Sequence, residues 1–273
     1  AFSKGCRVFD KPEYAEAARG AAEFILKNMR QPDGRLLHRY RDGQAAITAY
    51  LDDYVFLIWG LLELYETFPP ILKADLFDTN YLRIALEMNA DLLKHFWDDS
   101  IGGFYFTPDD GEELIIRKKE IYDGAIPSGN SVAMLNLLRL SRITADSSLE
   151  EKAVMIGRSF STVVKQTPSA YTQLMTAVDF AVGPSCEVVI AGDSQAEDTK
   201  AMLKAVSKPF VPNKIVLLHP TEQKDADIVR IAAFTKNQLK VGGMATAYIC
   251  QNYSCRQPTT DINKMLELLE IKS

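Results

Sequence analysis

Apolar positions along the first two-thirds of the chain recur at helical spacing, and two kinds of recurrence alternate. Residues 11 to 29 follow Asp10, place a proline in the first turn, and keep one apolar face through Tyr14, Ala18, Ala21 and Ile25. That pattern predicts a surface helix. Residues 45 to 68 are apolar almost all the way round from Tyr54 to Leu62, which predicts a helix covered on both sides. Residues 81 to 97 return to one wet face through Arg83, Glu87, Asp91 and Lys94. The stretch 131 to 140 is nearly all apolar, 148 to 165 again carries one polar face, and 168 to 182 reads as buried. A helix buried on two faces needs a second layer behind it, so the alternation predicts three consecutive helix hairpins curving in one direction. The two long outer-to-inner joins, 30 to 44 and 98 to 127, then share one end. Long ordered loops on a rigid scaffold are where sites usually sit.

At residue 183 the pattern changes. A β-rich run ends in Gly192-Asp193, a helical stretch covers 196 to 206, and a second strand covers 214 to 218. A helix is expected over roughly 224 to 238, a third strand over 245 to 250, and a last helix from about 260. Alternating strand and helix predicts a small parallel sheet with crossover helices. The expected fold class is mainly α with an α/β appendage: residues 1–182 form an arc of α-hairpins and residues 183–273 a small α/β domain. "AFSKGCRVF" at the start reads as the end of a helix, and an open arc leaves apolar flanks exposed. The chain is therefore expected to be a C-terminal portion of a longer protein.

Composition narrows the classes. The chain has 273 residues, 47% apolar and 25% charged, which is ordinary globular stock. Its net charge of -5 gives no basic footprint, so nucleic acid is not an expected partner. Glu63 cuts short the apolar run 55 to 62, below the roughly 18 to 20 residues of a membrane span, and no secretory leader is visible. Four cysteines at 6, 186, 250 and 255 do not form a disulfide framework, and a reducing cytoplasm is the expected location.

The blocks "LDDYVFLIWGLLELYE", "FWDDSIGGFYFT", "DGAIPSGNSVAMLNLLRL", "EVVIAGD" and "ATAYICQNYSCRQPTTD" together resemble the C-terminal part of the spermatogenesis-associated protein 20 group, called YyaL-type in bacteria. The resemblance runs in family order across essentially the whole chain. It implies an N-terminal thioredoxin-like domain followed by a six-hairpin, or (α/α)6, toroid similar to that of N-acylglucosamine 2-epimerases. The thioredoxin-like domain and the first hairpins are not in this chain, which leaves a partial toroid. The resemblance implies no settled reaction.

Candidate chemistry collects in the two long joins. Asp98 and Asp99 end an outer helix, Gly102 and Gly103 turn the chain, and Phe104, Tyr105 and Phe106 alternate as a strand would. Carboxylates that hold hydroxyls and flat aromatic faces that cover a pyranose ring are what a sugar pocket needs, so Asp99, Phe104 and Tyr105 are candidates beside a plain structural role. Ser128 is a natural N-cap for the helix that follows, where an anion or polyhydroxyl ligand can dock, with Asp123 and Asn130 nearby. Asp52 and Asp53 sit about 100° apart on a mostly buried helix, so one of them needs a partner, with Arg39, Arg41 and Arg117 as candidates. Asp53 with Asp99 or Asp123 is a candidate acid/base pair for glycoside chemistry. His38 is a candidate for proton transfer of the epimerase kind.

Cys250 and Cys255, with four residues between them, are half a zinc site at best. They are expected as paired thiols at a core edge, with a disulfide or a redox relay to the absent thioredoxin-like domain as the alternative. "VVIAGD" lacks a glycine-rich phosphate loop, and neither cofactor nor metal is expected. Two functions follow: a carbohydrate-binding or carbohydrate-modifying domain, or a noncatalytic scaffold of a thioredoxin-domain protein.

Overall fold

A computed structural model of the chain describes residues 1–67, 77–251 and 254–269. The helical part is built from hairpins in sequence order. Helix α1 (Phe2–Phe9) turns at Asp10, in the left-handed region at φ 55°, into α2 (Pro12–Asn28), which starts on its proline. Strands β1 (Leu37–Arg41) and β2 (Gln44–Thr48) then form an antiparallel hairpin. Helix α3 (Leu51–Tyr65) pairs with α4 (Thr79–His95), whose N-cap Asp78 accepts the Asn80 N–H. Helix α5 (Gly129–Thr144) pairs with α6 (Ser147–Ser159), capped by Asp146, and also with α8 (Thr172–Val182). A short α7 (Ser161–Gln166) links α6 to α8.

Every residue of α5 from Gly129 to Ile143 is buried, because α3, α6, α8 and the sheet surround it. The expected helix over 45–68 begins later, since 44–48 is strand, and residue 68 lies outside the described residues. The expected helix over 148–165 breaks at Phe160. Helix α8 buries only Leu174, Ala177 and Phe180, so it is packed on one face instead of two.

The α/β part holds a four-stranded sheet of β3 (Cys186–Gly192), β4 (Lys214–Pro220), β5 (Thr246–Gln251) and β6 (Ser254–Cys255), in the spatial order β4-β3-β5-β6. It is mixed, which corrects the parallel sheet expected from the alternation. β3 runs parallel to β4, through the crossover helix α9 (Glu197–Ser207), but antiparallel to β5. The segment before β5 explains this: it forms only the five-residue α10 (Asp227–Ile231) and a 3-10 turn, Ala233–Asn237, instead of a long crossover helix. Helix α11 (Ile262–Leu269) packs on α9 and β5. All seven residues of β3 are buried, as a central strand covered on both faces requires. The apolar core is continuous across residue 183, from Ala22 and Leu62 through Leu137 to Val188, Leu217 and Leu269. Among the described residues no helix is long and apolar enough to cross a membrane.

Candidate functional site

Two residues singled out in the sequence meet where α3 begins. Asp53 is the third residue of α3, and its Oδ2 accepts the Tyr50 backbone N–H at 2.8 Å, satisfying a donor that the helix leaves free. The same carboxylate lies 2.9 and 3.1 Å from Nδ1 of His38, which the β1–β2 hairpin carries over the helix start. The His38 ring stands edge-on to Tyr50 at 5.1 Å, and Tyr50 stacks on Phe106 with ring centroids 5.0 Å apart and planes 11° apart. The Leu51 N–H donates to the Phe106 carbonyl at 3.0 Å, fixing the 98–127 join to the same corner.

Asp52 points elsewhere round the helix, toward the first turn of α5. A Cβ on Gly129 would fall 2.4 Å from Asp52 Oδ1 and 2.7 Å from Leu51 Cδ2, so the approach requires glycine there. Burial, followed by the negative charges of Glu120 and Asp53, pushes the Asp52 carboxyl up to about 6, against the lowering effect of the Gly129 N–H. The anion at the N-terminus of α5 is thus supplied by the chain itself. Asp52 and Asp53 stand at one end of a trough of about 650 Å³ along α2 and α3, whose walls include Ile25, Leu36, Phe56 and Leu57. A carboxyl group that titrates near 6 beside a carboxylate–imidazole pair is suited to giving and taking protons near neutral pH.

The other candidates take no part in the Asp53–His38–Tyr50 contacts. Phe104 is fully buried edge-on to Trp97 and offers no ring platform. Asn130, also fully buried, spends its amide on the Phe104 backbone and the Glu120 carbonyl. Asp123 accepts the backbone N–H groups of Ser128, Gln173 and Leu174, so it holds the N-termini of α5 and α8 in place. Asp99 is exposed. Its neighbour Asp98 is the buried acid, bound by Lys119 at 2.6 Å, by Ser100 and by the Tyr105 hydroxyl at 2.9 Å. These hydrogen bonds, Lys119 and Ser100 first, hold it well below the usual carboxylate range. The Tyr105 ring is covered by the Arg117 guanidinium, 4.3 Å from its centroid. Arg39 is exposed on β1, and the partner of Asp53 is His38, not Arg39, Arg41 or Arg117. The alternation of 104–106 yields a single bridge, Trp97 to Phe104, closed by the Asp98 N–H on the Gly103 carbonyl and the Tyr105 N–H on the Phe96 carbonyl, while Asn130 takes the Phe104 backbone groups.

The sequence points to Asp52 only as a neighbour of Asp53 and to Phe106 only as part of an aromatic run, and singles out neither of them, nor Tyr50, as a site residue. The signal that reveals them is the β-rich run 44–48, which moves the start of α3 to residue 51 and brings Asp52 and Asp53 to one end of the trough. Sequence reasoning also missed the grouping of His95, Asp109 and Asp110, whose ligand atoms lie within 4.8 Å of one another. Arg35 runs through that group, bonded to both Asp110 oxygens at 2.7 and 3.0 Å and 3.4 Å from Asp91, which makes it a salt-bridge network. Cys250 and Cys255 are joined in a disulfide instead of lying as paired thiols, because their backbones pair directly across β5 and β6.

The fold is thus a layer of helix hairpins fused to a mixed α/β unit, with an acidic and aromatic corner at one end of a trough. Spermatogenesis-associated protein 20 of Rattus norvegicus is 34% identical over 221 residues, 81% of this chain and 27% of that protein. The Homo sapiens protein of the same name is 31% identical over 262 residues, 92% of this chain and 32% of its own length. A Caenorhabditis elegans protein, uncharacterized protein B0495.5, is 26% identical over 273 residues, covering 97% of this chain and 35% of its own. Over the matched residues the chain belongs to the spermatogenesis-associated protein 20 family, and it spans about a third of the length of these relatives. No family model matches the chain.

Proposed function

We propose that the corner formed by Asp52, Asp53, His38, Tyr50 and Phe106 is part of a carbohydrate-binding or carbohydrate-modifying site, in a helical layer that is an arc of a six-hairpin toroid. The observation that carries this reading is the half-buried Asp52, titrating at about 6, next to Asp53, which lines the same trough and bonds to His38. Protonated Asp52 donates to a hydroxyl or leaving oxygen, and the Asp53-held imidazole is placed to exchange a proton with the same ligand. The stacked Tyr50–Phe106 pair offers the flat apolar surface that a pyranose ring covers.

Thermal unfolding of the full-length protein against a panel of monosaccharides and amino sugars tests this. One sugar is expected to raise Tm in proportion to the logarithm of its concentration, and Asp53→Asn is expected to abolish that rise. A panel in which no sugar moves Tm would sink the reading. Such a result would favour a second reading, a noncatalytic domain that presents a surface within a larger redox protein. The consumption of Phe104, Asn130 and Asp123 by packing and backbone hydrogen bonds supports that alternative.

A further inference from the structure

We infer that the Cys250–Cys255 disulfide is a thiol-exchange site that latches residues 254–259 to the edge of the sheet, with Cys255 the sulfur an incoming thiolate attacks. Cys250 lies in β5 and is only 5% exposed, whereas Cys255 lies in the two-residue edge strand β6 and is exposed. A reductant approaching from solvent therefore reaches Cys255 and leaves Cys250 as the departing group.

The strap is held lightly apart from this bond. β6 meets β5 at only two positions, Cys250 to Cys255 and Gln251 to Ser254. Beyond it the Arg256 N–H donates to the Ile249 carbonyl at 2.9 Å, and Ala247 and Thr259 exchange hydrogen bonds at 2.8 and 3.1 Å. Residues 254–258 are all exposed, so no buried side chain anchors them. The other edge of β5 is paired with the fully buried β3 over five positions and does not depend on the disulfide. Opening the bond therefore frees the strap while leaving the sheet intact, which uncovers the backbone edge of β5.

The step balances with a dithiol as reductant. Its thiolate bonds to Cys255 Sγ as the Sγ–Sγ bond breaks, and Cys250 leaves with the electron pair and takes a proton. The second thiol of the reductant then attacks its partner sulfur in the mixed disulfide, and Cys255 leaves and is protonated in turn. Two electrons and two protons pass to the protein, and the reductant ends as its own disulfide.

Two measurements on the full chain test this under native conditions. Single variants Cys250→Ser and Cys255→Ser are treated with glutathione disulfide and mapped by peptide mass. The lone Cys255 is expected to take up glutathione at least tenfold faster than the lone Cys250, with the buried Cys6 and Cys186 unmodified as internal references. In the unsubstituted chain, dithiothreitol is expected to speed deuterium uptake at the Arg256 and Thr259 amides at least tenfold and to leave β3 and β4 unchanged. The inference is overturned if Cys250 reacts as fast as Cys255, or if the bond yields to dithiothreitol only after denaturant has unfolded the sheet. Unchanged uptake at Arg256 and Thr259, or thiols 250 and 255 that stay free in glutathione disulfide, overturns it equally.

Discussion

Asn130 and Phe104 exchange two hydrogen bonds across the core: Asn130 Oδ1 accepts the Phe104 N–H at 2.7 Å, and Nδ2 donates to the Phe104 carbonyl at 2.9 Å. Nδ2 also donates to the Glu120 carbonyl at 2.9 Å, so one fully buried side chain stitches both arms of the 98–127 join to α5. Asn130→Ala takes their partner from the two buried Phe104 backbone groups and from the part-buried Glu120 carbonyl, and is expected to destabilise the chain by about 2 to 4 kcal/mol, read from urea unfolding. Wild-type stability in that variant would show that the amide is not the tie.

Asp52 gives a pH-dependent effect of opposite sign to the usual acid. Its folded-state carboxyl titrates at about 6, above the ordinary value of 3.8, so the folded chain holds its proton more tightly than the unfolded one. The associated stability is fully present below the unfolded value, declines as pH rises from near 4 to near 6, and stays lost above that. Asp52→Asn removes the charge and keeps the oxygen that faces Gly129. It is expected to raise Tm at pH 7.5 and to leave Tm unchanged at pH 3.5. Equal Tm shifts at the two values, or a loss at pH 7.5, would contradict the assignment.

How far the sequence reveals this arrangement can be judged from particular residues. The alternation of one-faced and all-round apolar helices shows where α2, α3, α4 and α5 lie, because periodicity reports burial directly. It does not reveal the direction of β5, which depends on how the short segment 227–237 folds against the sheet. Within "DDSIGG" the adjacent acids are equivalent on the page, yet Lys119 and the Tyr105 hydroxyl reach only Asp98. His38 and Asp53 both stand out by residue type. Their pairing across the β1–β2 hairpin depends on register, which no local pattern in 36 to 44 specifies.

Arg139 and Glu63 hold the far end of α3 against α5, with Nη1 to Oε1 at 2.9 Å and both residues buried. Arg139 also lies 3.3 Å from Glu66, and Arg7 of α1 joins both glutamates. Burial alone would raise the Glu63 carboxyl, but Arg139, then Arg7 and Lys4, outweigh it and hold it well below the usual range. Arg139→Met leaves two buried carboxylates short of a cation and is expected to cost about 3 to 5 kcal/mol at pH 7. Because the folded-state value of Glu63 is depressed, its stabilisation is present above the unfolded value and fades as pH falls below it. The deficit of the variant, measured by guanidinium unfolding, is therefore expected to narrow at pH 3.5.

Gly102 closes the turn between α4 and the aromatic run, with φ at +81° and its α-carbon against α6. A Cβ there would lie 2.9 Å from Met155 Cβ and 3.2 Å from the Met155 carbonyl oxygen, groups on a helix that cannot withdraw cheaply. Gly43, in the β1–β2 turn at φ +79°, has the same backbone requirement but nothing within 4 Å of that position. Gly43→Ala is therefore expected to cost only the left-handed strain, about 1 kcal/mol, whereas Gly102→Ala adds steric overlap for a total of about 2 to 4 kcal/mol. Urea unfolding of the two variants side by side separates backbone strain from close approach. Equal losses would mean that α6 yields to the added methyl, and that the turn is held to α6 less tightly than these distances require.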